Sequence, residues 1–112
     1  NIRLVSVKKG EAVAEMVVSD NHLNGVNIIQ GGALFTLADF AFAAASNSHG
    51  RIAVASNASI SFFKGVSEGK LIAHATELNS GKTLATYAVE VVTEDGTKVA
   101  LFTGTAFMKG EY

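Results

Sequence analysis

Residues 31–47 read GGALFTLADFAFAAASN, and this stretch constrains the fold most strongly. Ala33, Leu34, Phe35, Leu37, Ala38, Phe40, Ala41, Phe42, Ala43, Ala44 and Ala45 cover every side of a helical period. A helix that is apolar all round is expected to be buried on all sides. Gly31-Gly32 opens it, and Asn47-Ser48-His49-Gly50 supplies a stop, with Gly50 suited to the C-terminal turn. The stretch is interrupted by Thr36, Asp39 and Ser46, and is too short and too polar for a membrane span.

The flanks read as strands. Ile2 to Val7 alternates loosely, and Glu11 to Val18, beyond the turn Lys8-Lys9-Gly10, is a second strand rich in Ala and Val. Ser19 to Gln30 is rich in turn formers, so it reads as a loop leading into the helix. After the helix come Arg51 to Lys64, Lys70 to Leu78, Thr83 to Thr93 and Lys98 to Met108. Asn79-Ser80-Gly81 and Glu94-Asp95-Gly96 are the turns between the later strands. Two strands, one helix and four strands form an α+β pattern. An antiparallel sheet wrapped around one long central helix, the hot-dog fold, satisfies it. No repeat or linker divides the chain, so residues 1–112 read as a single domain.

Composition excludes several classes. Apolar residues make up 48% of the chain and charged residues only 17%, which argues against disorder and for surface covered by a second chain. The formal charge is −1 with no Lys/Arg cluster, so no nucleic-acid footprint is present. There is no cysteine, which removes disulfides, zinc thiolates and thiol nucleophiles. His22, His49 and His74 lack metal-ligand spacing, and no Walker-type phosphate loop or nucleophile elbow occurs. No metal or other cofactor is implied. No charged leader precedes an apolar run, so a cytoplasmic protein without a membrane anchor is the expectation.

The residues that carry chemistry lie between Asn24 and Asp39. A double glycine at a helix start lets a ligand approach unpaired backbone N–H groups. Those groups and the helix dipole suit a carbonyl oxygen gaining negative charge, which is the physical form of an oxyanion hole. A lone Asp in a helix is usually solvated. Asp39, however, has Phe35, Thr36, Phe42 and Ala43 three and four residues away, which disfavours a solvated face and would make its carboxylate a better base. Gly31 and Asp39 are eight residues apart, about 12 Å along one helix. Both must come within about 3 Å of one reacting carbonyl. If both are catalytic, Gly31 of one chain must work with Asp39 of another. Two antiparallel helices about a two-fold axis would do this and create two equivalent sites. His22 lies close enough to the loop to support the site from behind.

NGVNIIQGGALFTLAD, followed by AFAAASNSHG, VASNASISFFKG, SGKTLATYAVEV and KVALFTGTAF, resembles the phenylacetyl-CoA thioesterase (PaaI-type) branch of the hot-dog superfamily. The resemblance covers nearly the whole chain. It implies that Asp39 is the catalytic carboxylate, as general base or nucleophile, and that the Gly31 N–H polarises the thioester carbonyl. It implies that Asn24 positions the carbonyl or the attacking water. Gln30 stands where the family usually has His; it can donate a hydrogen bond but cannot titrate near neutral pH. Gly65 stands where a proline is common. The resemblance also puts Gly32, Ser56, Asn57, Lys64, Gly81, Lys82 and Thr83 near the substrate, the last four nearest the CoA. The family is commonly tetrameric, which implies a dimer of dimers.

Hydrolysis of an acyl-CoA, aryl-acetyl or medium-chain, is therefore the expected activity. A hot-dog hydratase or dehydratase is an alternative, against which Gln30 counts. A non-catalytic acyl-CoA binding module is another, and a buried carboxylate without a role counts against it. Phe35, Phe40, Phe42 and Phe62 could line an acyl pocket or fill the core.

Overall fold

The computed structural model describes residues 2–19, 22, 23, 25, 28 and 31–111, the last two by their backbone alone. The chain forms β1 (Ile2–Lys8), β2 (Glu11–Val17), α1 (Gly31–Ser46), β3 (Arg51–Phe62), β4 (Lys70–Ser80), β5 (Leu84–Thr93) and β6 (Lys98–Glu111). All six strands make one sheet in the order β1-β2-β4-β5-β6-β3, with every neighbouring pair antiparallel. The sheet wraps α1, as the hot-dog reading expects.

Period-two alternation explains which side of the sheet meets the helix. Ala12, Ala14 and Met16 on β2, Leu71, Ala73 and Ala75 on β4, and Ala85, Tyr87, Val89 and Val91 on β5 are buried. The many alanines let the sheet close tightly on α1. Gly104 on β6 serves the same end, because a Cβ there would lie 2.9 Å from Phe102 and 3.0 Å from Phe42. The rings of Phe42, Phe102 and Tyr87 meet edge-on or tilted in that space, 5.5 to 5.8 Å apart from Phe42.

The helix departs from expectation in one respect. Leu34, Leu37, Ala38, Ala41, Phe42, Ala45 and Ser46 are buried against the chain's own sheet. Phe35, Thr36, Phe40 and Ala43, on the opposite side, are exposed. The apolar sequence therefore does not mean burial on all sides within one chain; half the helix surface lacks a cover. The α1 C-terminus is closed by side chains. Asn47 Nδ2 donates to Ala43 O at 2.9 Å and Ser48 Oγ to Ala45 O at 2.6 Å. Gly10 N–H in turn donates to Ser48 Oγ at 2.8 Å, pinning the β1–β2 turn to that end.

Candidate active site

Gly31 begins α1 with no acidic residue in the first turn, so no side chain of that turn neutralises the positive end of the helix dipole. A cleft of about 500 Å³ opens beside it, lined by Ile28, Gly31, Leu34, Phe62, Phe63, Lys64 and Gly65. Phe62 ends β3, and the chain beyond stays tied to β6. Phe63 N–H donates to Val99 O at 2.8 Å and Lys64 N–H to the same oxygen at 3.3 Å. A Cβ on Gly31 would lie 3.1 Å from Phe62 Cζ, so the aromatic wall fits against a bare glycine. Gly65 has no room for a side chain either; its Cβ would lie 2.7 Å from Ile28. That accounts for glycine rather than proline at this corner. Lys64 also borders a smaller, more polar depression with Glu68, Lys70, Glu94, Asp95 and Thr97. There Thr93 and then Thr97 donate to Asp95 and hold its carboxyl down to about 2.

Asp39 lies two turns into α1, half-buried on the uncovered face, with exposed Phe35, Thr36, Phe40 and Ala43 around it. Among the described residues none pairs with its carboxylate. The apolar enclosure expected for Asp39 is thus incomplete within one chain. Gly31 and Asp39 belong to the same continuous helix, so the separation of about 12 Å stands.

The remaining expected site residues fall into two groups. Lys64 stands with Gly31 at the Phe62 end of β3. Gly81, Lys82 and Thr83 form the β4–β5 turn at the Arg51 end. Arg51 Nη2 donates to Lys82 O at 2.9 Å, and Met108 N–H donates to Thr83 O at 2.7 Å. Eleven strand steps separate the two ends, roughly 35 Å. One chain therefore does not bring Lys64 and Lys82 together. Ser56 and Asn57 lie between, exposed on β3, where Ser56 Oγ donates to Thr105 O at 3.2 Å. Gly32 is exposed, with open space where a side chain would be. Asn24 and Gln30 lie outside the described residues. The phenylalanines divide: Phe42 is core, Phe62 lines the cleft, Phe35 packs edge-on to Phe102 at 5.4 Å, and Phe40 is 39% exposed. Sequence reading missed Phe63 and Ile28 as cleft walls; the period-two pattern stops at Phe62, so nothing local marks them. Among the described residues no cluster of three or more His, Asp or Glu could hold a metal ion.

The thioesterase superfamily pattern matches residues 26–100, which contain both the Gly31 helix start and Asp39. The chain belongs to the thioesterase superfamily. The acyl-coenzyme A thioesterase PaaI of Escherichia coli is 42% identical over 104 residues, covering 92% of this chain and 74% of that protein. A variant of the phenylacetic acid degradation protein PaaI of Thermus thermophilus is 41% identical with TM-score 0.92, covering 96% of this chain and 93% of the other. A Streptococcus mutans protein solved with acetyl-CoA bound is 30% identical with TM-score 0.94, covering 99% and 90%. This thioesterase is accordingly of the PaaI type, an enzyme of the thioester hydrolase class. That favours hydrolysis over the hydratase and binding-module alternatives. No helix among the described residues is long and apolar enough to cross a membrane.

Proposed function

We propose that this thioesterase hydrolyses an acyl-CoA to the free acid and CoA at sites shared by two chains. The single observation that carries the reading is the Asp39 carboxylate, unpaired among the described residues, on the uncovered face of the helix whose first residue, Gly31, lines the cleft. The thioester carbonyl sits against the Gly31 N–H. Asp39 of a second chain takes a proton from water as the water oxygen attacks the carbonyl carbon. The carbonyl π electrons move to oxygen, where the N–H and the helix dipole stabilise them. They return as the carbon–sulfur bond breaks, and the CoA sulfur leaves with the proton Asp39 held. Direct attack by the carboxylate, followed by hydrolysis of the anhydride, gives the same products. Asn24 and Gln30 orient the reactants.

Pairing two chains about a two-fold axis accounts for three features together. It covers the exposed parts of Phe35, Phe40 and Ala43. It gives the free edge of β3 a partner. Run antiparallel, it brings the 81–83 turn of one chain to the Lys64 end of the other, so both lysines can meet one CoA. The outer sheet face carries a second apolar patch, Val54, Leu84 and Phe107, each at least 40% exposed and facing one another across strands. It suits a back-to-back contact between dimers. A cytoplasmic location fits a CoA substrate.

The test is release of CoA thiol from a panel of aryl and aliphatic acyl-CoAs. Asp39→Asn is expected to lower kcat by about 10²- to 10⁴-fold while the melting curve stays put. Undiminished turnover by Asp39→Asn would remove the assignment.

A further inference from the structure

A second cleft, of about 360 Å³, lies on the other side of α1 and is lined by Ile2, Met16, His22, Ala33 and Thr36. Three of these five described residues are apolar. Thr36 Oγ1 already donates its proton to Gly32 O at 2.8 Å. Among the described lining residues, His22 is therefore the one side chain with a hydrogen-bond donor to offer. Its ring is set by the turn it closes: Ser19 N–H donates to His22 Nδ1 at 3.0 Å, and His22 N–H donates back to Ser19 O at 2.9 Å. A ring nitrogen that accepts a backbone N–H carries no proton, so in the neutral imidazole the proton is on Nε2. Ser19 Oγ, 3.3 Å from Nδ1, can only reinforce this tautomer by donating. Among the described residues nothing partners Nε2.

The cleft is within reach of the reacting carbonyl. Ala33 and Thr36 lie two and five residues beyond Gly31, about 3 and 7.5 Å along the helix. Gly32, between Gly31 and Ala33, presents no side chain and has nothing within 4 Å of where one would be. An acyl chain anchored at the Gly31 N–H can pass over Gly32 into this cleft, and about six bonds span the distance.

We infer that His22 is a specificity-determining residue whose Nε2–H selects acyl groups carrying a neutral acceptor oxygen at their far end. This inference rests on the acyl-CoA hydrolysis proposed above. It also assigns the two clefts different work. The Phe62 cleft takes the thioester and the arm of CoA, and the His22 cleft takes the acyl group.

The experiment compares 6-hydroxyhexanoyl-CoA with heptanoyl-CoA, which replaces the hydroxyl by a methyl of similar size. The native enzyme is expected to favour the hydroxy thioester about three- to tenfold in kcat/KM, the range of one net hydrogen bond. His22→Phe should abolish or invert the preference, and His22→Gln, which keeps a donor at similar reach, should restore most of it. A thermal melt of each variant separates loss of fold from loss of selectivity. Dissociation constants of the two thioesters on Asp39→Asn, by calorimetry, read the same preference without turnover. Equal constants on that variant, or a native preference that survives His22→Phe, would overturn the inference. Preferential binding with no hydrolysis by the native enzyme would instead refute the proposed reaction and leave the His22 cleft standing.

Discussion

Replacing Gly31 by alanine separates catalysis from stability at one atom. The new Cβ would lie 3.1 Å from Phe62 Cζ and 3.6 Å from both neighbouring ring carbons. Phe62 is 53% exposed, so its ring can yield by a few tenths of an ångström at little cost. Alanine also favours helix over glycine by up to about 1 kcal/mol, less at the first position. The two effects oppose each other, and the net change in stability should stay within about 1 kcal/mol. The cleft has no such latitude. On the proposed mechanism, the methyl would occupy the wall against which the carbonyl approaches the N–H, and displace the ring that forms the facing wall. A misplacement of about 1 Å in a reacting group costs about 10²-fold in rate. Because the donor acts on charge that develops in the transition state, the loss should fall on kcat more than on KM. Thiol release under saturating acyl-CoA, paired with a thermal melt, measures both quantities on the same preparation. Unchanged kcat would refute the placement of the oxyanion donor at Gly31. A melting temperature lowered by more than about 5 °C would refute the packing argument.

Gly104→Ala should behave in the opposite way. Its Cβ would press on Phe42 and Phe102, which are 1% and 0% exposed and cannot yield, so a loss of about 1–3 kcal/mol is expected in urea unfolding with an unchanged slope. An unchanged midpoint would show that the rings have room. Burial, and the Glu77 carboxylate to which the Tyr87 hydroxyl donates at 3.0 Å, push the Tyr87 phenol well above its ordinary value. The folded state therefore favours neutral Tyr87; this contribution is whole below the unfolded value near 10 and is lost as pH rises above it. The melting temperature of the native protein should fall more steeply above about pH 10 than that of Tyr87→Phe, and parallel curves would contradict the assignment.

How far the sequence is legible depends on what kind of interaction sets each feature. Helix α1 is readable to within a residue, since its apolar run, its glycines and its stop lie in one segment. The alternation in β4 and β5 is readable for the same reason. Strand ends are less so. Asn79 and Ser80 read as a turn, yet a bulge after Glu77 lets them pair with Thr86 and Ala85, and the tight turn falls at Gly81, whose N–H donates to Leu84 O. Strand β6 runs past Met108 to Glu111 because Arg51 at the start of β3 pairs there. Both are long-range pairings with no local sign. An apolar helix likewise does not say which chain covers it, and Phe35 and Phe40 read alike with Phe42 until the sheet is in place. Lys64 and Lys82 read as neighbours of one CoA, and only the length of β3 shows that they stand near its opposite ends.

The central claim is that each active site takes Gly31 from one chain and Asp39 from another. Subunit complementation tests it most directly. Asp39→Asn and Gly31→Ala proteins, each nearly inactive alone, are unfolded together in equal amounts and refolded. Random pairing makes about half of the dimers mixed, and each mixed dimer holds one intact site of two, so about a quarter of native activity should return. Activity that stays at the sum of the two parents would mean that Gly31 and Asp39 act within one chain, or not together, and would contradict the shared site.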